Sequence, residues 1–313
     1  MVRDTRTLLN RMIGKVRLRH VQLVVLTADL GSSHKVAEEA GISQPTVIKM
    51  LQDMEDLAET HLFERHARGM RATPACRALL PFLRSMLRVA LAASETLADL
   101  QAGAAGVVHV GAMPAACHGP IMSALSHFAQ KHREIYVHLQ EDKSAVLLEE
   151  LALGTLDVLL IRQPSQVPQG YRFVPLVEDR PVVLARAGHR LVKRPVTLPI
   201  LAKEQWLTFP HSMTSRIVFD NWFEHSPVRP GVVNITTSSL SAITTMVAES
   251  DALVLLPLSL AGPSLASGRV CILDVPTQNA IKAMGLLWRD DPESLAVTIF
   301  CEWMLEHLKS VTL

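Results

Sequence analysis

Cysteine is scarce in this chain, excess charge is nearly absent, and long apolar runs are missing. The four cysteines, Cys76, Cys117, Cys271 and Cys301, are scattered and form no Cys-x-x-Cys pair, which argues against a zinc site or a disulfide framework. No apolar run approaches the roughly 18 residues that a membrane helix needs. The N-terminus mixes charged and apolar residues without the apolar core of a signal peptide, so a cytoplasmic address is expected. Catalytic signatures are missing too: no Gly-x-Ser-x-Gly, no phosphate-cradling glycine loop and no His/carboxylate metal motif. His211 beside Ser212 has no acid partner placed by sequence. Cys117 and His118, being adjacent, make neither a tetrahedral metal site nor a thiol pair. No enzyme, cofactor or metal is therefore expected.

What is present is a globular composition, 49 % hydrophobic and 19 % charged over 313 residues, enough for about two or three domains. The net charge of +1 is unevenly spread. Residues 1–105 hold 14 Lys and Arg against 11 Asp and Glu. Much of that excess, Arg3, Arg6, Arg11, Lys15, Arg17 and Arg19, lies at the very start as a basic arm able to meet phosphates or to stay solvated.

The stretch from Leu18 to Cys76 carries the strongest signal. Leu18, Val21, Val24, Val25 and Ala28 recur at helical spacing up to Gly31. Ser33 is expected to cap a second helix with Val36, Ala37 and Ala40 inward, stopped by Gly41. Ser43 caps a third, with Pro45 in its first turn and Val47, Met50, Leu51, Met54 and Leu57 inward. That arrangement leaves Gln44, Pro45, Thr46 and Lys49 at the outer N-terminal end, where a recognition helix meets bases and phosphates. Arg65, His66, Arg68 and Arg71 around Gly69 then form a basic loop suited to a wing along DNA. DNA-binding candidates are thus Gln44, Pro45, Thr46, Lys49, Arg65, Arg68 and Arg71.

The strings Val36-Ala-Glu-Glu-Ala-Gly-Ile-Ser-Gln-Pro-Thr-Val-Ile-Lys49, Leu62-Phe-Glu-Arg65 and Thr73-Pro-Ala75 resemble those of the LysR-type transcriptional regulators. Three positions depart from the family pattern. Ile48 stands where a small hydroxyl residue is usual, and Ala58 and Cys76 stand where glycine is usual. The resemblance covers nearly the whole chain. It implies a winged helix-turn-helix, a linker helix and a two-lobed α/β domain like periplasmic binding proteins, with the chain crossing twice between lobes. It also implies a homodimer assembled into a homotetramer on double-stranded promoter DNA, an effector in the interlobe cleft, and contact with RNA polymerase.

Thr73-Pro74 opens a long helix to about Ala102, with Leu79, Leu83, Met86 or Leu87, Ala90, Leu97 and Leu100 at mostly helical spacing. Too little protein surrounds it to cover it, so pairing with a second subunit is expected. Pro81 is expected to bend or break it near its start. From Val107 onward short apolar strands alternate with helices, the pattern of an α/β fold. The expected domains are 1–76 (winged helix-turn-helix with its basic arm), 77–105 (linker helix and hinge) and 106–313 (effector domain). Within the last, lobe I takes about 106–163 plus 276–313 and lobe II about 164–275.

Ligands of open α/β lobes sit at the carboxyl ends of strands, beside helix N-termini. Met113, Pro114, Ser144, His211, Ser212, Thr214 and Ser239 fall at such places, and their hydroxyls and free N–H groups suit a small organic anion. Each hydroxyl alone reads equally as a plain helix cap. The expected function is a ligand-responsive, sequence-specific transcriptional regulator. A cytoplasmic small-molecule binding protein without DNA regulation is the alternative.

Overall fold

The computed structural model describes residues 5–66, 69–211, 213–276 and 281–308. Two compact units divide the chain, Met1–Ala98 and Asp99–Leu313. In the first, α1 (Thr5–Lys15) leads into α2 (Leu18–Leu30), α3 (Ser33–Ala40) and α4 (Gln44–Ala58). A hairpin of β1 (Phe63–His66) and β2 (Gly69–Ala72) follows, and α5 (Pro74–Gln101) then runs across the unit boundary.

Hydrophobic burial holds α2, α3 and α4 together. Val21, Leu23, Val24, Val36, Val47, Leu51 and Met54 form one buried cluster with Leu62, Cys76, Leu80 and Leu83. Gly31 and Gly41 end α2 and α3 in the left-handed conformation. The α3 cap is shifted by one residue from expectation. Ser32, not Ser33, accepts the Lys35 N–H, at 3.5 Å. The third turn differs as well. Ala58, at the glycine position of the family pattern, stays helical, and Glu59 takes the left-handed turn at φ 50. That conformation is costly for a residue with a Cβ. The Glu59 carboxylate binds Arg11 at 3.0 Å. Much of the basic arm is therefore a helix tied to the unit, while residues 1–4 lie outside the described residues.

Pro81 does not break α5, which is continuous from Pro74 to Gln101. Its apolar residues split between two faces. Cys76, Leu80 and Leu83 enter the core, whereas Leu79, Phe82, Met86, Val89, Leu97 and Leu100 are exposed.

The second unit contains two five-stranded sheets. The first is ordered β4 (Ile135–Glu141), β3 (Gly106–Ala112), β5 (Val158–Arg162), β12 (Ile281–Arg289), β6 (Tyr171–Asp179). It is parallel through β4, β3 and β5, and antiparallel at both flanks of β12. Helices α6 (Pro120–Lys131), α7 (Ser144–Leu153) and α12 (Leu295–Leu308) accompany it. Phe128 of α6 meets Phe300 of α12 edge-on at 5.1 Å, and the Trp303 indole N–H donates to the Ala124 carbonyl. The second sheet is ordered β11 (Val270–Ile272), β7 (Pro181–Arg186), β10 (Leu253–Pro257), β8 (Gln205–Thr208), β9 (Gly231–Thr236). A short α8 (Leu198–Leu201), then α9 (Thr214–Phe223), α10 (Leu240–Ala248) and α11 (Leu258–Ala266) complete it.

The expected lobe boundary near residue 164 is corrected by this topology, because β6 belongs to the first sheet. Pro175 lies inside β6. It is tolerated because β6 is an edge strand, where a missing N–H need not interrupt a ladder. Opposite Pro175, Gly285 lets the strands close up, since a Cβ there would lie 2.2 Å from the Val174 carbonyl oxygen. The chain passes to the second sheet after Asp179 and returns through β12. At the first passage the Asp179 carboxylate accepts from Arg162 Nη2 (2.6 Å), Ser259 Oγ (2.7 Å) and the Ser259 N–H (3.2 Å). The Arg162 side chain is only 9 % exposed and Asp179 is fully covered, so this clasp is an interior one.

Candidate nucleic-acid interface and ligand cleft

The polar end of α4 follows from its sequence. Ser43 accepts the Thr46 N–H at 3.4 Å, and Pro45 occupies the first turn without losing a bond. Val47, Leu51, Met54 and Leu57 are drawn inward, which turns Gln44, Pro45, Thr46, Ile48 and Lys49 outward. The Gln44 amide donates to Ser33 Oγ at 3.0 Å, tying the start of α4 to the start of α3. The Thr46 and Ser43 hydroxyls lie 2.7 Å apart. Charge is graded along the helix. Its first six residues carry Lys49 and no carboxylate, while Asp53, Glu55 and Asp56 crowd its second half. With the positive helix end added, only the N-terminal half suits a polyanion. Gln52, one turn beyond Ile48 and bonded to Asp56 at 2.8 Å, shares the outer face. Continuing the three- and four-residue steps from Lys49 and Ile48 would have found it.

The wing is fastened from three sides. Glu55 of α4, with its side chain 13 % exposed, accepts the Leu62 N–H at 2.7 Å and the Phe63 N–H at 3.0 Å through one carboxylate oxygen. Thr73 donates its hydroxyl to the His61 carbonyl and its N–H to the Leu62 carbonyl, both at 2.9 Å. The Met70 N–H donates to the Gly31 carbonyl at 2.7 Å. Gly69 is required there, because its φ is +131 and a Cβ would sit 2.2 Å from that same oxygen. The ladder pairs Glu64 with Arg71 and Arg65 with Met70. Directly opposed residues share a face, so the two arginines point to opposite faces of the hairpin. Both are exposed, whereas Arg68 lies outside the described residues.

The ligand candidates divide into two groups. Met113 and Pro114 follow β3 and Ser144 follows β4, at the carboxyl edge of the first sheet. His211 and Thr214 follow β8 and Ser239 follows β9, at the carboxyl edge of the second. Ser212 lies outside the described residues. Of the described candidates only Ser239 acts as a side-chain cap, accepting the Ala242 N–H at 3.3 Å. Ser144 and Thr214 are the first helical residues behind Lys143 and Met213, so neither serves as a plain cap of its helix. A cavity of about 520 Å³ lies between His118, Leu240, Ser241, Thr244, Ser264 and Arg269. None of the six described candidates lines it, though His118 follows the Pro114–Cys117 turn after Met113, and Ser241 lies in α10 two residues beyond Ser239. Its cation is already engaged, with Arg269 bound to Glu249 at 3.0 Å. Among the described residues no His, Cys, Asp or Glu group could hold a metal ion, and no helix is long and apolar enough to cross a membrane. Burial, with Glu141 adding to it, pushes the Cys117 thiol up to about 12.

A capped helix with a polar outer end, a fastened two-stranded wing and an α/β half of two sheets define a winged helix-turn-helix DNA-binding regulator with a ligand-binding domain. Comparison with known proteins agrees. The model of the bacterial regulatory helix-turn-helix protein, lysR family, matches residues 18–77, and that of the LysR substrate binding domain matches residues 101–309. The chain belongs to the LysR family of DNA-binding transcriptional regulators. It is 26 % identical over 281 residues to the HTH-type transcriptional regulator GbpR of Azospirillum brasilense, covering 89 % of this chain and 82 % of that one. It is also 26 % identical to PcaQ of Agrobacterium fabrum, covering 93 % and 95 %. In fold it resembles full-length CbnR complexed with its target DNA, with a TM-score of 0.73 and 17 % identity over 94 % of this chain and 99 % of that one.

Proposed function

We propose that DNA is read by Gln44, Pro45, Thr46 and Lys49 at the start of α4 and gripped by Arg65, Arg68 and Arg71 of the wing. One observation carries this reading: the outward polar end of α4 is the only carboxylate-free stretch of that helix, and a fastened wing stands beside it. The α5 face bearing Leu79, Phe82, Met86 and Val89 is the seam for a second subunit, and two such dimers form a homotetramer on an extended promoter site. A small organic anion binds between the two sheets near Met113, Pro114, Ser144, His211, Ser212, Thr214 and Ser239. Its binding shifts the lobes, and with them the spacing of the reading heads and their contact with RNA polymerase in the cytoplasm. The working division is 1–76, 77–105 and 106–313. The test is fluorescence anisotropy with DNA from upstream of the protein's own gene and scrambled competitor at two salt concentrations. Sequence-specific, salt-sensitive binding supports the reading, and equal affinity for scrambled DNA counts against it.

A further inference from the structure

Ile48 stands out on the reading helix. Its neighbour Val47 is fully buried, but Ile48 is 36 % exposed and is not among the residues that pack against the core of this unit. Gln44 lies one turn before it, Gln52 one turn after it, and Lys49 beside it. With Leu51, Phe63, Arg65 and Met70, Ile48 lines a groove of about 660 Å³ between α4 and the wing. Its side chain can neither donate nor accept a hydrogen bond, so it cannot read the polar edges of bases. It can read shape. In the major groove the one apolar mark on an unmodified base pair is the C5-methyl of thymine. A β-branched side chain in a helix holds one χ1 rotamer, so the contact is pre-oriented.

We propose that Ile48 is a specificity-determining residue that packs on a thymine methyl in each half-site. The inference rests on α4 being the recognition helix.

The test uses the full-length protein and a duplex enriched from a random-sequence pool by repeated binding. Each thymine is replaced singly by deoxyuridine, which removes only the methyl, and affinity is measured by anisotropy. One thymine per half-site should be sensitive, its loss weakening the wild type about fourfold, the worth of one buried methyl. In Ile48→Ala and Ile48→Ser that difference should fall to unity, while Ile48→Val should keep it. Replacing the sensitive pair by C·G should weaken wild-type binding, and 5-methylcytosine should restore part of the loss. Because Ile48 is exposed, unchanged melting temperatures identify the alanine variant as folded. The inference is overturned if no thymine is sensitive, or if Ile48→Ala keeps the full deoxyuridine penalty. Failure to enrich any sequence from the pool would instead overturn the recognition-helix reading itself.

Discussion

Removing the Glu55 carboxylate should loosen the wing without touching DNA-facing groups. In Glu55→Ala two N–H groups, those of Leu62 and Phe63, lose an acceptor they now hold at 2.7 and 3.0 Å. Hydrogen bonds to a charged group contribute roughly 1.5–3 kcal/mol each. Because the carboxylate is 13 % exposed, water can replace part of that, leaving a loss of about 2–3 kcal/mol. For a unit of this size the corresponding fall in melting temperature is roughly 10–20 °C. The functional signature is separate. A wing that no longer holds its place gives up its phosphate contacts, so the slope of log Kd against log salt should fall by about 1–2. Thermal melts and anisotropy titrations over a salt series measure both. Glu55→Gln keeps an acceptor oxygen and should recover most of each loss. Combined with Arg65→Ala, Glu55→Ala should lose less binding than the two changes added together, because both act through the wing. A wild-type salt slope in folded Glu55→Ala, or strict additivity with Arg65→Ala, would refute the reasoning.

Three further outcomes are expected. Thr46→Ala should reduce preference for cognate over scrambled DNA by about 1–3 kcal/mol, whereas Arg68→Ala should weaken both DNAs alike and lower the salt slope by about one; competition titrations separate the two. Phe82→Glu places a charge on a side chain now 69 % exposed in the α5 seam, so light scattering should show dissociation to monomers and DNA affinity should drop roughly tenfold or more. Burial, with Glu141 adding to it, raises the Cys117 pKa to about 12, so the thiol stays protonated through neutral pH. At pH 8 the thiolate fraction is on the order of one part in ten thousand, rising only as pH approaches that value. Mass spectrometry after iodoacetamide treatment should find Cys117 largely unlabelled between pH 7 and 8.5, and Cys117→Ser should leave DNA binding unchanged.

The helix-turn-helix was legible because its signals are local. Ser43 and Pro45 mark the start of α4, Gly41 the preceding turn, and the spacing of Val47, Leu51 and Met54 its inward face. What depended on distant partners was not. Nothing near Glu55 in sequence announces that its carboxylate holds Leu62 and Phe63, and nothing near Arg162 or Asp179 announces Ser259. Strand β6 carries Pro175, which an edge position makes acceptable, and α11 carries the internal Pro263, so neither element shows an unbroken local pattern. In α5 the apolar spacing was visible, but which leucines belong to the core was set by where the hairpin and α2–α4 meet it, so Leu80 turned inward and Leu79 outward. The opposed directions of Arg65 and Arg71 follow from the hairpin register, which a count of basic residues does not contain.

The close approach of Gly69 to the Gly31 carbonyl has a mechanical consequence. The wing is bolted to the turn between α2 and α3 on one side and to α4 through Glu55 on the other. Hydrogen bonds thus hold the hairpin to α4 and to the end of α2 at once. If α4 and the wing contact one duplex together, a duplex that does not match their spacing would have to change its groove width or bend to fit. Base pairs that neither element touches would then matter through their stiffness, and pyrimidine–purine steps between the two contacts would be favoured for the ease with which they kink.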